Sequence, residues 1–365
     1  MVDLWLTWSD TVREAMVQHG VIPPERVRVA GAPRFDFYTG PLRAATTPRE
    51  SFVRKHGLVP GRPNLCWATN FVLARHIRTN TLDFLIQDFR DLGISQLPVY
   101  SDPVPLAKRD VEVRLETLAI LKKLCRRFHR VNFIIKPHPH EEIGDYEVFV
   151  SGCRAEGLDN VALVTEEYIW DVLNAVDIHI HRLCTTGVEA WLMGVPSINF
   201  HTASYGAWTL DVKGPAREAL GGDDLVTDED SLVERIEFYL GGGRVNAEKL
   251  ACQKNYVQRW FYRADGLSSL RCAEQIATLL QTSHASLKFR LSLLGPRAIA
   301  RMLINRTLGR PLEAPIRSRT KYQNGVPVDF LGQRDKSVQQ SDVALWTAKI
   351  RAALARAEKR PEIHA

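Results

Sequence analysis

Short apolar runs alternate with longer stretches of helical periodicity through most of this chain. Asn64–Ala68, Val131–Ile135, Val161–Val164, Asp177–His181 and Ser197–Phe200 read as buried strands, and a sixth begins near Asp224. Between them lie helix signals. Thr47 is placed to cap a helix with Pro48 in its first turn, and Lys108–Arg130 carries Leu115, Leu118, Leu121 and Leu124 at helical spacing. Further helices fit 146–156, 169–175 and Asp230–Tyr239. Residues 71–105 divide less cleanly: Thr81–Arg90 has helical spacing, and the remainder, with Pro98, Pro103 and Pro105, reads as loop. Strand–helix alternation over such lengths predicts an α/β fold with a doubly wound parallel sheet.

The segment Asp177–Phe200, DIHIHRLCTTGVEAWLMGVPSINF, compresses that pattern into one unit. Ile178 and Ile180 alternate with His179 and His181 in a strand, Cys184-Thr185-Thr186-Gly187 opens a helix, and Gly194-Val195-Pro196 ends it before the next strand. A threonine hydroxyl is expected to cap the helix, and Gly187 to allow close approach to its first turn. Such a unit leaves backbone N–H groups at the carboxyl edge of a parallel sheet, where α/β proteins hold anionic ligands. Glu189 reads either as a first-turn acid favoured by the helix dipole or as an acceptor for ribose hydroxyls.

Three segments follow. Residues 1–45 hold strands near 3–8 and 27–30 with a helix capped by Ser9, too little for a stable domain, and read as the remnant of an N-terminal Rossmann-like domain and its linker. Residues 46–283 form the Rossmann-like ligand-binding domain. Residues 284–365 are a basic helical and loop tail, in which Ser341–Lys359 has helical spacing through Val343, Trp346, Ile350 and Leu354. The net charge of +6 comes from this tail, which carries roughly 16 basic against 6 acidic residues from Lys288 onward. The basic helix either rests on an anionic membrane surface or packs on its own domain.

Composition narrows the class. No apolar run is long enough to span a bilayer, and the start lacks a secretory signal. Six scattered cysteines without a CxxC pair fit a reducing cytoplasm. The basic excess belongs to the tail rather than to the domain with the motifs, which gives no nucleic-acid footprint. Neither a P-loop, a GxGxxG nor a GxSxG is present, which disfavours P-loop NTPases, dinucleotide oxidoreductases and α/β-hydrolases.

Four strand ends carry polar residues that a parallel sheet gathers on one edge: Asn70; Lys136 and His138; Thr165–Glu167; and Arg182–Thr186. In KPHP the two prolines stiffen the loop around His138, which reads equally as a phosphate-facing donor or as a structural histidine in a rigid turn. Lys136 adds positive charge. His138, His140, Glu141 and Glu142 lack the helical spacing of zinc motifs, so no metal is expected. His179 and His181 read as core histidines. Cys184 lies at the helix start without a base beside it in sequence.

AGAPRFDFY, ATNF, FIIKPHPHEE, AVDIHIHRLCTTGVEAWLMGVPSINF and Ala264-Asp265-Gly266, in that order across roughly residues 5 to 275, resemble the bacterial surface carbohydrate biosynthesis proteins. These are similar in fold to GT-B glycosyltransferases and to non-hydrolysing UDP-N-acetylglucosamine 2-epimerases. The resemblance implies the C-terminal half of a GT-B fold that grips a nucleotide-sugar donor. His138 would act at the phosphates as the catalytic residue. Asn70, Lys136, Arg182, Thr185, Thr186 and Gly187 would bind the donor, and Glu189 its ribose. The implied partner is a glycan or lipid-linked acceptor, in a cytoplasmic protein or one peripheral to the inner membrane face. The alternatives are a 2-epimerase-like enzyme and a catalytically incomplete nucleotide-binding fragment, since most of an N-terminal domain is missing from the match.

Overall fold

A computed structural model describes residues 2–97, 100–202, 214–282, 322–323, 326–327 and 340–358. The chain runs β1 (Trp5–Thr7), α1 (Asp10–Gln18), β2 (Val27–Val29), α2 (Arg49–Lys55), β3 (Asn64–Ala68), α3 (Ala74–Arg78), α4 (Leu82–Asp91) and α5 (Pro103–Arg127). It continues through β4 (Asn132–Lys136), α6 (Gly144–Ala155), β5 (Val161–Leu163), α7 (Ile169–Ala175), β6 (Ile178–His181), α8 (Thr186–Met193) and β7 (Ser197–Phe200). Then come α9 (Pro215–Ala219), β8 (Asp224–Val226), α10 (Glu229–Leu240), α11 (Ala247–Phe261), α12 (Ser268–Thr282) and α13 (Gln340–Glu358).

Strands β3 to β8 form one six-stranded, wholly parallel sheet in the order β5-β4-β3-β6-β7-β8. The chain enters at the middle, works outward to β5, then crosses back to β6 and outward again to β8. Winding reverses between β3 and β6, and a crevice opens there beyond the strand ends. This is the expected doubly wound α/β architecture. Its strands read as continuous apolar runs because both faces are covered. Leu65, Trp67, Phe133 and Ile135 enter the core beneath α5, α6 and α10. The alternate residues Cys66, Ala68 and Ile134 face the core shared with α2, α7, α8 and α11.

Helix starts depart from the sequence reading in instructive ways. Pro103 and Pro105, expected in a loop, lie in the first turn of α5, where their missing N–H groups have no intrahelical acceptor to lose; Asp102 caps Val104 at 3.0 Å. At α2 the N-cap position falls on Pro48, and the Thr47 N–H goes instead to Asp171 Oδ1 at 2.6 Å. Thr185 occupies the N-cap position of α8 with helical dihedrals and no side-chain cap. Ser9 caps α1 as expected, accepting from Val12 at 3.3 Å.

β1 and β2 pair in parallel as a separate two-stranded sheet, with Trp5 and Trp8 exposed. The segment after it joins the main body: Ala32, Phe35 and Tyr38 pack with Phe52, Val188, Trp191 and Phe261. Asp36 accepts from the backbone N–H groups of Ser268 and Ser269 at 3.0 and 2.6 Å, so a distant carboxylate caps α12. Gly40 and Gly266 cross backbone to backbone, closer than a Cβ at either would allow. The AGAPRFDFY and Ala264-Asp265-Gly266 motifs therefore meet in space and hold the first segment to the domain.

Most of the basic tail from residue 284, including Lys359 and Arg360, lies outside the described residues. Its helix α13 is described, and it packs on the body along the turn Pro41–Ala45, with Ala353 fully buried. Among the described residues no helix is long and apolar enough to cross a membrane.

Candidate functional site

A cavity of about 990 Å³ lies at the carboxyl edge of the sheet, around the point where the winding reverses. Four strand ends build its floor: Ala68 and Thr69 after β3, Lys136–His140 after β4, Glu166–Trp170 after β5, and Cys184–Thr186 with Glu189 after β6. Arg34 enters from the segment before α2. Asp342, Val343, Trp346, Thr347 and Ile350 of α13 form the last wall.

The histidine loop is stapled from below. Glu141, 4% exposed, accepts from Thr69 Oγ1 at 2.8 Å, from the His138 N–H at 3.0 Å and from the Tyr146 hydroxyl. Burial pushes its carboxyl above the ordinary range. Glu142 pairs with Arg78 at 3.1 Å. Both acids are thus engaged in holding the loop and its flank. The His140 N–H donates to Nδ1 of His138 at 3.2 Å. With Nδ1 accepting, neutral His138 carries its proton on Nε2 and is a hydrogen-bond donor from that side.

Opposite stands the start of α8. Thr186 Oγ1 lies 3.0 Å from His179 Nε2, and the Cys184 N–H donates to His181 Nδ1 at 3.3 Å. Behind them Asp223 gathers Trp191 Nε1 at 2.9 Å, Asn199 Nδ2 at 3.2 Å, the Ser197 hydroxyl and, at 3.3 Å, His181 Nε2. His179 and His181 are core histidines, 0% and 1% exposed, and burial drives the His179 pKa well down. Burial likewise raises the Cys184 thiol, which keeps it protonated rather than nucleophilic. Leu183 takes a φ of +40°, unusual for a branched residue, and its N–H is held by Asn199 Oδ1 at 3.1 Å. The polar network behind the sheet edge thus fixes the turn that presents Thr185 and Thr186.

Five residues expected from sequence share this cavity: Lys136, His138, Thr185, Thr186 and Glu189. Lys136 is 7% exposed and donates to the Thr165 carbonyl at 3.0 Å. Three others do not line it. Arg182 is drawn to Asp110 of α5 at 3.0 Å, stacks over Phe71 with 4.4 Å to the ring centroid, and donates to the Asn70 carbonyl. Asn70 therefore meets Arg182 through its backbone. Gly187 does admit a close neighbour, but the neighbour is internal: a Cβ there would lie 2.4 Å from His181 Nε2.

Glu189, expected at the ribose of a donor, has an internal partner. It is 1% exposed, and its Oε1 is ion-paired to Arg34. Burial raises its pKa to about 7 against the lowering pull of Arg34. Burial first, and the nearby Glu189 carboxylate after it, push the Tyr38 hydroxyl well above its ordinary value. Sequence reasoning missed Arg34, although it lies inside AGAPRFDFY. It also missed the aromatic rim. Trp170 stacks between Phe37 and Tyr168, with centroids at 4.6 and 4.5 Å, and Trp346 of α13 meets all three rings edge-on. The helical spacing of Trp346 was the available signal.

No protein-family model matches the chain, and no curated protein matches it. Among solved structures it is similar to the wall teichoic acid polymerase TagF, at 13% identity and a TM-score of 0.46 over 76% of this chain and 56% of that one. It is also similar to a UDP-N-acetylglucosamine 2-epimerase, at 12% identity and a TM-score of 0.42 over 78% of this chain and 59% of that one. A third likeness is to a glycosyltransferase from Rickettsia africae, at 12% identity and a TM-score of 0.37 over 75% of this chain and 64% of that one. The chain spans less than two thirds of the length of each, and at these scores the likenesses assign neither activity nor substrate.

Proposed function

We propose that this chain is the donor-binding part of a GT-B-type glycosyltransferase that takes a nucleotide-activated sugar and serves surface polysaccharide synthesis. The observation that carries this is the pairing of His138 with the start of α8 across one cavity at the sheet's carboxyl edge. Breaking a sugar–phosphate bond builds negative charge on the departing nucleotide. A donor held in place by Pro137, Pro139 and Glu141, with its proton on Nε2, meets that charge without reorganising. The opening turn of α8 and Lys136 add N–H and ammonium character on the facing and adjoining walls. A glycan or lipid-linked hydroxyl is the acceptor in this reading, and its activation falls to groups outside this cavity. No metal or other cofactor enters the reading.

A second reading, a 2-epimerase-like enzyme, would use the same cavity for the nucleotide-sugar and differs in needing no acceptor. A melting-temperature panel of UDP, CDP, GDP, CMP and their sugars with the full chain tests the shared premise, because a ligand bound only to the folded state raises the midpoint. One nucleotide series is expected to raise it, and a flat panel counts against both readings. Release of free nucleotide in the presence of an acceptor then marks transfer, whereas inversion at C2 without an acceptor marks epimerisation.

A further inference from the structure

We infer that Arg34 is the anion-binding side chain of this cavity, and that Glu189 is the positioning residue that holds it there. The ligand chemistry is a phosphate or diphosphate group.

Arg34 reaches the site from the short turn Pro33–Phe37, 151 positions away from Thr185 in sequence. Its Nη2 sits between Glu189 Oε1 and Thr185 Oγ1, the latter at 3.4 Å. Its side chain is 47% exposed and lines the cavity, while the Glu189 side chain is 2% exposed. One guanidinium nitrogen is therefore tethered to a buried carboxylate. Among the described residues the rest of the fork has no hydrogen bond to protein. A planar fork fixed at one corner and open at the others suits two phosphate oxygens. The same charge would hold less well on a lysine, which presents a single point.

The burial of Glu189 gives the second half of the argument. A carboxylate this enclosed is poorly placed to meet a ligand directly. Its partner is the arginine, and the arginine faces the space. Thr185 and Thr186 at the start of α8 and His138 across the cavity surround the same volume, so an anion bound to Arg34 would meet donors from three separate segments. The proposed function supplies only the identity of the phosphate's carrier; the anion site rests on Arg34 itself.

The test is calorimetric titration of the full chain with inorganic phosphate, pyrophosphate, the nucleoside diphosphates UDP, CDP and GDP, and the uncharged nucleosides. Arg34→Gln is expected to weaken pyrophosphate and nucleoside diphosphates alike by about tenfold or more, and to leave nucleosides unaffected. Arg34→Lys should recover only part of the loss. Glu189→Gln should weaken the same ligands, and the double variant should bind no worse than Arg34→Gln alone, because Glu189 acts through Arg34. Glu189→Gln is isosteric with the native side chain and Arg34 is about half exposed, and melting curves confirm that each variant folds. Wild-type affinity for pyrophosphate in Arg34→Gln overturns the inference, as does an additive double variant. Pyrophosphate binding through Arg34 without any preference for a nucleotide keeps the inference and removes the donor reading. Nucleotide binding indifferent to Arg34 does the reverse, and a wild type that binds none of these anions removes both.

Discussion

The backbone N–H of His140 donates to Nδ1 of His138 at 3.2 Å, and that bond sets which face of the imidazole can act. With Nδ1 occupied as an acceptor, the ring offers a proton from Nε2 and is poorly placed to take one there. It suits stabilising a departing group better than activating an attacking one. His138→Ala should therefore lower kcat and kcat/KM together, by about 10²–10⁴-fold, with little change in nucleotide affinity. Steady-state kinetics on the nucleotide selected by the binding panel gives the answer, and an unchanged kcat would leave His138 a structural residue.

Gly187 is packed against His181 rather than against open space. Adding a methyl group puts a Cβ 2.4 Å from His181 Nε2, and His181 is itself wedged against Asp223. Gly187→Ala is expected to cost about 1–3 kcal/mol in urea unfolding, through forced displacement of a buried ring. A midpoint equal to that of the wild type would show that the network gives way more easily than its burial implies.

Glu189 makes stability depend on pH in a defined direction. Its folded pKa of about 7 lies above the ordinary 4.5, so between those values the native state holds a proton that the unfolded chain has lost. Stability from this group is then fully present below about pH 4.5 and is lost as pH rises to about 7. The loss is at most about 3 kcal/mol. Denaturation of wild type and Glu189→Gln at pH 5 and pH 8 isolates it: the wild type should fall relative to the variant on going to pH 8. A difference that does not change with pH would mean the carboxyl stays ionised throughout.

Trp346 anchors α13 through edge contacts to Phe37, Tyr168 and Trp170 at 5.4, 5.5 and 6.0 Å. Trp346→Ala should lower the opening free energy of that helix by roughly 1–3 kcal/mol, since such ring pairs contribute about 0.5–1.5 kcal/mol each. Amide exchange should accelerate across residues 340–358 and stay as it was in β3, β4 and β6. Uniform acceleration through the sheet would instead make α13 part of one cooperative unit.

The sheet was legible because strands buried on both faces leave unbroken apolar runs, and because parallel pairing sends every following loop to one edge. Those two facts alone placed Lys136, His138, Thr185, Thr186 and Glu189 together. What escaped depends on partners that sequence does not pair. Arg182 looks like a site residue until Asp110, 72 positions away, holds it outside the cavity lining. Gly187 looks open until the ring of His181 fills the space above it. Arg34 is one arginine in a turn, and only the fold shows that it ends on Glu189. Pro103 and Pro105 read as loop in the sequence, yet they open α5, because the same residues that break a helix also begin one. For α13 the periodicity was plain: Trp346 meets the chain's own aromatic rim, and Ile350 lines the cavity.

Because Arg34, the β4 and β6 strand ends and Trp346 come from three widely separated stretches, the cavity and the sheet need not form at the same time. Each βα unit closes through short loops, whereas Phe37 and Trp346 meet across about three hundred positions, the kind of long-range closure that comes late in folding. A refolding chain would regain its far-ultraviolet signal first and its capacity to hold a ligand afterwards, with the arrival of α13 as the last event.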